Sequence, residues 1–156
     1  MSKKKIKKTD VAKGSTSGIQ STKLKPPQGI SFSFKYYQDS HSKFSCNGKE
    51  AIYWLTLLER LKALCSLTAQ ELLVNRGSTL RCHPIKWEDT SENGFGLPNE
   101  EQLVDIPYQF SLSKNEHGRV HGFFIDEVFY IVWLDPDHLL YPANYRERTH
   151  CDRSSL

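Results

Sequence analysis

The 156-residue chain has no apolar run near the roughly 20 residues that a membrane-crossing helix needs. No apolar segment follows its charged first residues, so a secretory leader is not expected and the cytoplasm is the default location. Its four cysteines, Cys46, Cys65, Cys82 and Cys151, form no CxxC pair, which removes zinc-finger spacing. Without a leader, reduced thiols are their simplest state. The chain also lacks a glycine-rich phosphate loop, a GxSxG elbow and an HExxH helix. The commonest nucleotide-dependent, serine-hydrolase and zinc-protease classes therefore have no motif support. No internal repeat is present, and nothing in the motif inventory calls for a cofactor or a metal.

What is present divides sharply. Hydrophobic residues make up 38% of the chain, enough for a core only if the polar residues concentrate elsewhere. They do so in residues 1–28, which hold eight lysines, Lys3, Lys4 and Lys5 among them, and a single acid, Asp10. With Ile6, Val11, Ile19 and Leu24 as its only large aliphatics, this arm cannot bury enough surface to offset its ordering entropy, and disorder is expected. Of the chain's 21 basic and 18 acidic side chains, residues 29–156 keep 13 and 17, a net charge of −4. The basic character thus belongs to the arm, which can add affinity for phosphate or act as a solubilising terminus.

Past Pro26-Pro27, Ile30, Phe32, Phe34 and Tyr36 alternate with polar residues, predicting a half-buried strand. From Gly48 the period changes. Leu55, Leu58, Leu61 and Cys65 follow helical spacing, with Trp54, Leu57 and Leu64 widening the stripe and Asn47 as N-cap. Thr68-Ala-Gln-Glu71 reads as a capping box that starts a second helix, ending before Gly77. Residues 80–87 look extended, with Pro84 confining them to a sheet edge or a bulge. Residues 88–107, rich in Gly, Asn, Pro and acids, read as a long loop.

The last third is the plainest. Tyr108–Ser113 alternates, Lys114–Gly118 supplies a turn, and Arg119–Ile125 continues as strand. Asp126-Glu127 closes a tight hairpin without its usual glycine, and Val128–Leu134 is apolar enough to be a central strand covered on both faces. The expected fold is α+β: one domain over 29–142, with a helical hairpin packed on one face of an antiparallel β-sheet and a C-terminal β-meander. Residues 143–156 read as a flexible tail.

In a hairpin pivoting at Asp126-Glu127, Arg119 and His138 come to the same sheet end, with Tyr141 three residues beyond. Arginine can neutralise a phosphate, histidine can move a proton near neutral pH, and tyrosine can donate a hydrogen bond or stack on a base. Each also has an ordinary reading: His138 as a turn stabiliser, Arg119 as partner of Glu116 or Asp126, Tyr141 as core or rim. Trp54 and Trp133 read as core anchors, and Trp87, at a loop mouth, as either core or base platform. His117 and His121 invite a metal reading, but four strand residues separate them by about 13 Å, so only a turn at Gly118 brings them together.

Ser111–Asp126, then Val128–Leu134, then His138-Leu-Leu-Tyr141 resembles the end of RelE/YoeB-like toxins. The order of strand, helical pair and sheet over 30–141 resembles that fold too. The resemblance implies cleavage of RNA without a metal, typically on the ribosome, with the 2′-hydroxyl attacking the neighbouring phosphate. A cognate antitoxin protein would be a partner. Arg119 matches the family's phosphate-contacting arginine, His138 its terminal general acid and Tyr141 the nearby aromatic, and Glu88 is the nearest candidate for its catalytic glutamate. Lys114, His117, Trp87 and Lys3, Lys4 and Lys5 are the candidate RNA contacts. The chain departs from the pattern in offering only Lys114 where the family has an extra strand arginine, in the glycine within His117-Gly118-Arg119, in its acidic folded part, and in the loop 88–107. A non-catalytic interaction or regulatory protein on the same scaffold is the alternative reading.

Overall fold

The alternating, β-branched run after Lys114 produces the centre of the molecule. The computed structural model describes residues 28–74, 81–114 and 116–142. In chain order its elements are β1 (Ser31–Ser33), α1 (Ala51–Leu64), α2 (Ala69–Val74), β2 (His83–Pro84), α3 (Glu100–Leu103), β3 (Pro107–Ser111), β4 (Arg119–Ile125) and β5 (Val128–Asp135). They form an α+β fold around one five-stranded sheet of order β1-β5-β4-β3-β2. The expected disordered arm (with Lys3, Lys4 and Lys5) and C-terminal tail, and the far end of the second helix, lie outside the described residues. No helix among those described is long and apolar enough to cross a membrane.

The meander β3-β4-β5 is antiparallel as its turns require. Asp126 takes φ +51° in the β4–β5 turn, a left-handed conformation that aspartate tolerates where glycine is usual. β2 is a two-residue edge strand containing Pro84, where its missing N–H costs no ladder bond. β5 lies between β4 and β1 and is buried over most of its length. The sheet is mixed, however, because β1 runs parallel to β5, with Ser31 level with Val128. β1 is separated from its neighbour by most of the chain, so no hairpin dictates its direction.

Two apolar clusters cover the two faces. One joins Tyr53, Leu57, Leu61 and Leu64 of α1 and Leu72 of α2 to Phe110, Val120, Phe129, Ile131 and Leu134. The capping box forms as read: Thr68 N–H donates to Glu71 Oε2 at 2.8 Å, and Glu71 N–H to Thr68 Oγ1 at 3.2 Å. α1 buries a different stripe from the one its spacing suggests. Leu55 and Leu58 are 55% and 62% exposed, Trp54 is exposed too, and Tyr53, Leu57 and Leu64 face the sheet beside Leu61. The helix is apolar nearly all round, so two stripes satisfy the period. Arg60 Nε donating to Leu112 O at 2.9 Å accompanies the one realised. Its N-cap is Glu50 rather than Asn47.

The other face is covered by loops rather than helices. Phe44, Ile85, Phe95, Phe123, Val132, Trp133 and Leu140 form its core. The long loop 88–107 is therefore an anchored structure, with a 3-10 turn at Trp87–Asp89 and the short α3. The Glu100 carboxylate accepts from the N–H groups of Phe95 and Leu97, fixing the bend that inserts Phe95.

β5 carries one irregularity that matters for the site. His121 is level with Trp133 and Gly122 with Ile131, leaving Val132 as the extra residue of a β-bulge. Phe129 and Ile131 face the helices. Val132 and Trp133 both face the loops, and Leu134 returns to the helices. Asp135 therefore lands on the loop face, with His121.

Candidate functional site

The register of β4 with β5 sets Arg119 level with Asp135, three residues before His138. Arg119 is half-buried and its Nη1 donates to Ser111 Oγ on β3, the residue level with it. Asp135 is buried, and its carboxylate accepts from Leu139 N–H at 2.8 Å and Leu140 N–H at 3.0 Å. Those bonds close the chain back on itself within five residues and lift His138 into a left-handed conformation, φ +58°. Lys49 Nζ pairs with Asp137 at 2.9 Å, tying the same turn to the segment before α1.

Gly118 explains the glycine inserted before Arg119. A Cβ there would lie 1.9 Å from Asp135 O and 2.6 Å from Pro136 Cα. Only a residue without a side chain lets the start of β4 abut the end of β5, and its φ of +74° suits glycine as well.

The loop carrying Glu88 is stitched to this end. Ser91 N–H donates to Leu140 O at 2.8 Å and Ser91 Oγ to Leu139 O at 3.1 Å. Glu88 itself is exposed on the 3-10 turn. Trp87 and Tyr141 are half-buried against the loop-face cluster, Trp87 standing edge-on to Trp133 at 6.1 Å. Lys114 is exposed and His117 half-buried in the β3–β4 turn, with the His117 ring 6.2 Å from that of Tyr53. His121, by contrast, lies inside the loop face, 6.1 Å from Phe44. Among the described residues no three His, Cys, Asp or Glu side chains group as metal ligands.

Beneath Arg119 sits a polar pair that spacing alone did not single out. His121 Nε2 lies 3.3 Å from Asp135 Oδ2, and both residues are almost wholly removed from solvent. Burial holds the His121 imidazole below its ordinary value, so it is neutral at neutral pH. For Asp135, burial acts to raise the carboxyl. The bond from His121 and the two backbone N–H groups outweigh it and keep the group ionised below its usual range. The charge of Arg119, level with Asp135 on the neighbouring strand, also acts to lower His121. The sequence signal was there in part: His121 alternates with Arg119 along β4, but only the bulge at Val132 turns Asp135 to meet it. Thiol chemistry has no support at Cys46 or Cys82, since burial raises the first thiol and pushes the second up to about 12.

The arrangement offers an arginine, a turn-borne histidine and a tyrosine around one rigid sheet end, with a neighbouring acidic loop. Those groups can bind an anion and move a proton. No family model matches the chain, and neither a curated protein nor a solved structure matches it.

Proposed function

We propose that the chain is a toxin-like endoribonuclease of the cytoplasm that cleaves RNA without a metal. The observation that carries this reading is the register of Arg119 with Asp135, whose carboxylate organises the turn bearing His138. Arg119 neutralises the scissile phosphate. Glu88 takes the proton of the 2′-hydroxyl, which attacks phosphorus. His138 protonates the departing 5′-oxygen, leaving a 2′,3′-cyclic phosphate and a free 5′-hydroxyl. Tyr141 and Trp87 supply aromatic faces for bases, and Lys114, His117 and the lysines of the arm supply contacts to RNA. Ribosome-bound RNA is the expected substrate and an antitoxin protein the expected partner.

The test is induction of the full chain in bacteria together with digestion of single-stranded RNA in the presence of chelator. Growth arrest and cyclic-phosphate products are expected, with Arg119→Ala and His138→Ala each lowering cleavage by about 10²–10⁴-fold. Intact RNA with the wild-type chain refutes the reading. A second reading, a non-catalytic interaction protein, draws on one observation: the outward face of α1 presents Ile52, Leu55 and Leu58 to solvent. Normal growth with undegraded RNA favours it.

A further inference from the structure

Among the described residues, two buried side-chain atoms have no hydrogen-bond partner: Gln109 Oε1 and His121 Nδ1. They are not scattered. Gln109 and His121 are level with each other on β3 and β4, so their side chains leave the same face of the sheet as neighbours. Gln109 is 9% exposed and His121 not at all.

The proton inventory shows what is missing. Asp135 can only accept, so the proton of the neutral His121 ring sits on Nε2, facing Asp135 Oδ2. Nδ1 is then a bare acceptor, and so is the amide oxygen of Gln109. Two acceptors on neighbouring side chains, each without a donor, leave both desolvated groups uncompensated. A half-turn of the terminal torsion of Gln109 exchanges its oxygen and nitrogen, two atoms distinguished only by their hydrogen bonds. It puts an N–H in the oxygen's place, on the face shared with His121, and moves the oxygen to the nitrogen's position, which is not among the buried unpartnered atoms.

We propose that the Gln109 amide donates through Nε2 to His121 Nδ1, completing a buried relay from Gln109 through His121 and Asp135 to the N–H groups of Leu139 and Leu140, and that Gln109 and His121 thereby act as positioning residues for His138. The relay rests on the face that Gln109 and His121 share, their burial and their two unpartnered atoms, together with the neutral state of the His121 ring; the positioning of a reacting histidine rests on the nuclease reading above.

Long-range proton–nitrogen NMR of the full-length chain at neutral pH separates the two. The relay requires His121 Nε2 to carry the proton and Nδ1 to resonate upfield of a free unprotonated ring nitrogen, as an acceptor does. Gln109→Leu returns Nδ1 to the free position and speeds hydrogen exchange at Leu139 and Leu140 about fivefold, the factor for one ordinary hydrogen bond. A wild-type Nδ1 that is protonated, or already at the free position, overturns the relay without any variant being needed. So does an acceptor-type shift that Gln109→Leu leaves unmoved, since the donor is then not the amide. For positioning, Gln109→Leu lowers kcat on RNA about tenfold with KM unchanged. An unchanged kcat alongside a moved Nδ1 resonance removes the positioning role alone. Absence of cleavage by the wild-type chain removes the nuclease reading and leaves the relay to its spectrum.

Discussion

His121 Nε2 and Asp135 Oδ2 lie 3.3 Å apart in a region where neither side chain meets water. Asp135 is the more heavily used partner, since its two oxygens also receive the N–H groups of Leu139 and Leu140. One carboxylate therefore ties a strand end, a buried imidazole and the following turn into a single unit.

Removing that acceptor should be expensive. Asp135→Ala leaves one imidazole N–H and two backbone N–H groups unmet and is expected to lose about 3–5 kcal/mol in urea unfolding. Asp135→Asn, which keeps one carbonyl oxygen, costs less. An alanine variant within about 1 kcal/mol of wild type would show that the turn does not depend on the carboxylate.

The same pair fixes the response to acid. His121 is depressed by burial and Asp135 by its hydrogen bonds, so below each ordinary value, 6.5 for histidine and 3.8 for aspartate, the unfolded chain takes up a proton that the folded chain refuses. Unfolding then binds protons, and stability falls as pH falls. Stability is full above the histidine value, drops through a first step beneath it and through a second beneath the aspartate value. Denaturant midpoints recorded across this range check the shape. His121→Phe should flatten the upper step, and an unchanged upper step would assign it to another group.

Neighbouring leucines on α1 should behave oppositely. Leu57→Ala is expected to cost about 2–5 kcal/mol and Leu58→Ala no more than about 0.5, because Leu57 is buried against the sheet and Leu58 is exposed. Equal costs for the two would mean that the helix presents a different face from the one described.

Gly122→Ala tests the bulge. A Cβ at Gly122 would lie 2.0 Å from Tyr130 O and 2.8 Å from the Phe129 ring. The backbone oxygen cannot retreat without opening the β4–β5 ladder. A loss above about 3 kcal/mol, or failure to fold, is expected, measured by thermal and urea unfolding. A tolerated alanine would contradict the close approach of the two strands.

Much of the architecture was legible wherever local chemistry had one solution. The alternation in Arg119–Ile125, the β-branched run after Val128, Pro84 at an edge and the Thr68–Glu71 reciprocal cap each point to one structure, and each is found. The face of α1 was not legible, because Leu55 with Leu58 and Leu57 with Leu64 satisfy the same period; the choice belongs to the sheet beneath. Nor was the direction of β1, whose partner is nearly 100 residues away. At the candidate site, the hairpin register that brings Arg119 to the end carrying His138 followed from the turn at Asp126-Glu127. The buried trio Gln109, His121 and Asp135 did not, since a strict two-residue alternation from Phe129 and Ile131 assigns Asp135 to the opposite face.

The bulge in β5 absorbs one residue of count without asking for any particular chemistry at that position. Any replacement at Val132 keeps the count of residues and leaves Trp133 and Asp135 aimed as they are. Deleting Val132 would erase the bulge and restore strict alternation, with Ile131 and Leu134 still toward the helices and Trp133 and Asp135 still toward the loops. The extra residue is thus a letter the strand can lose without changing the word it spells.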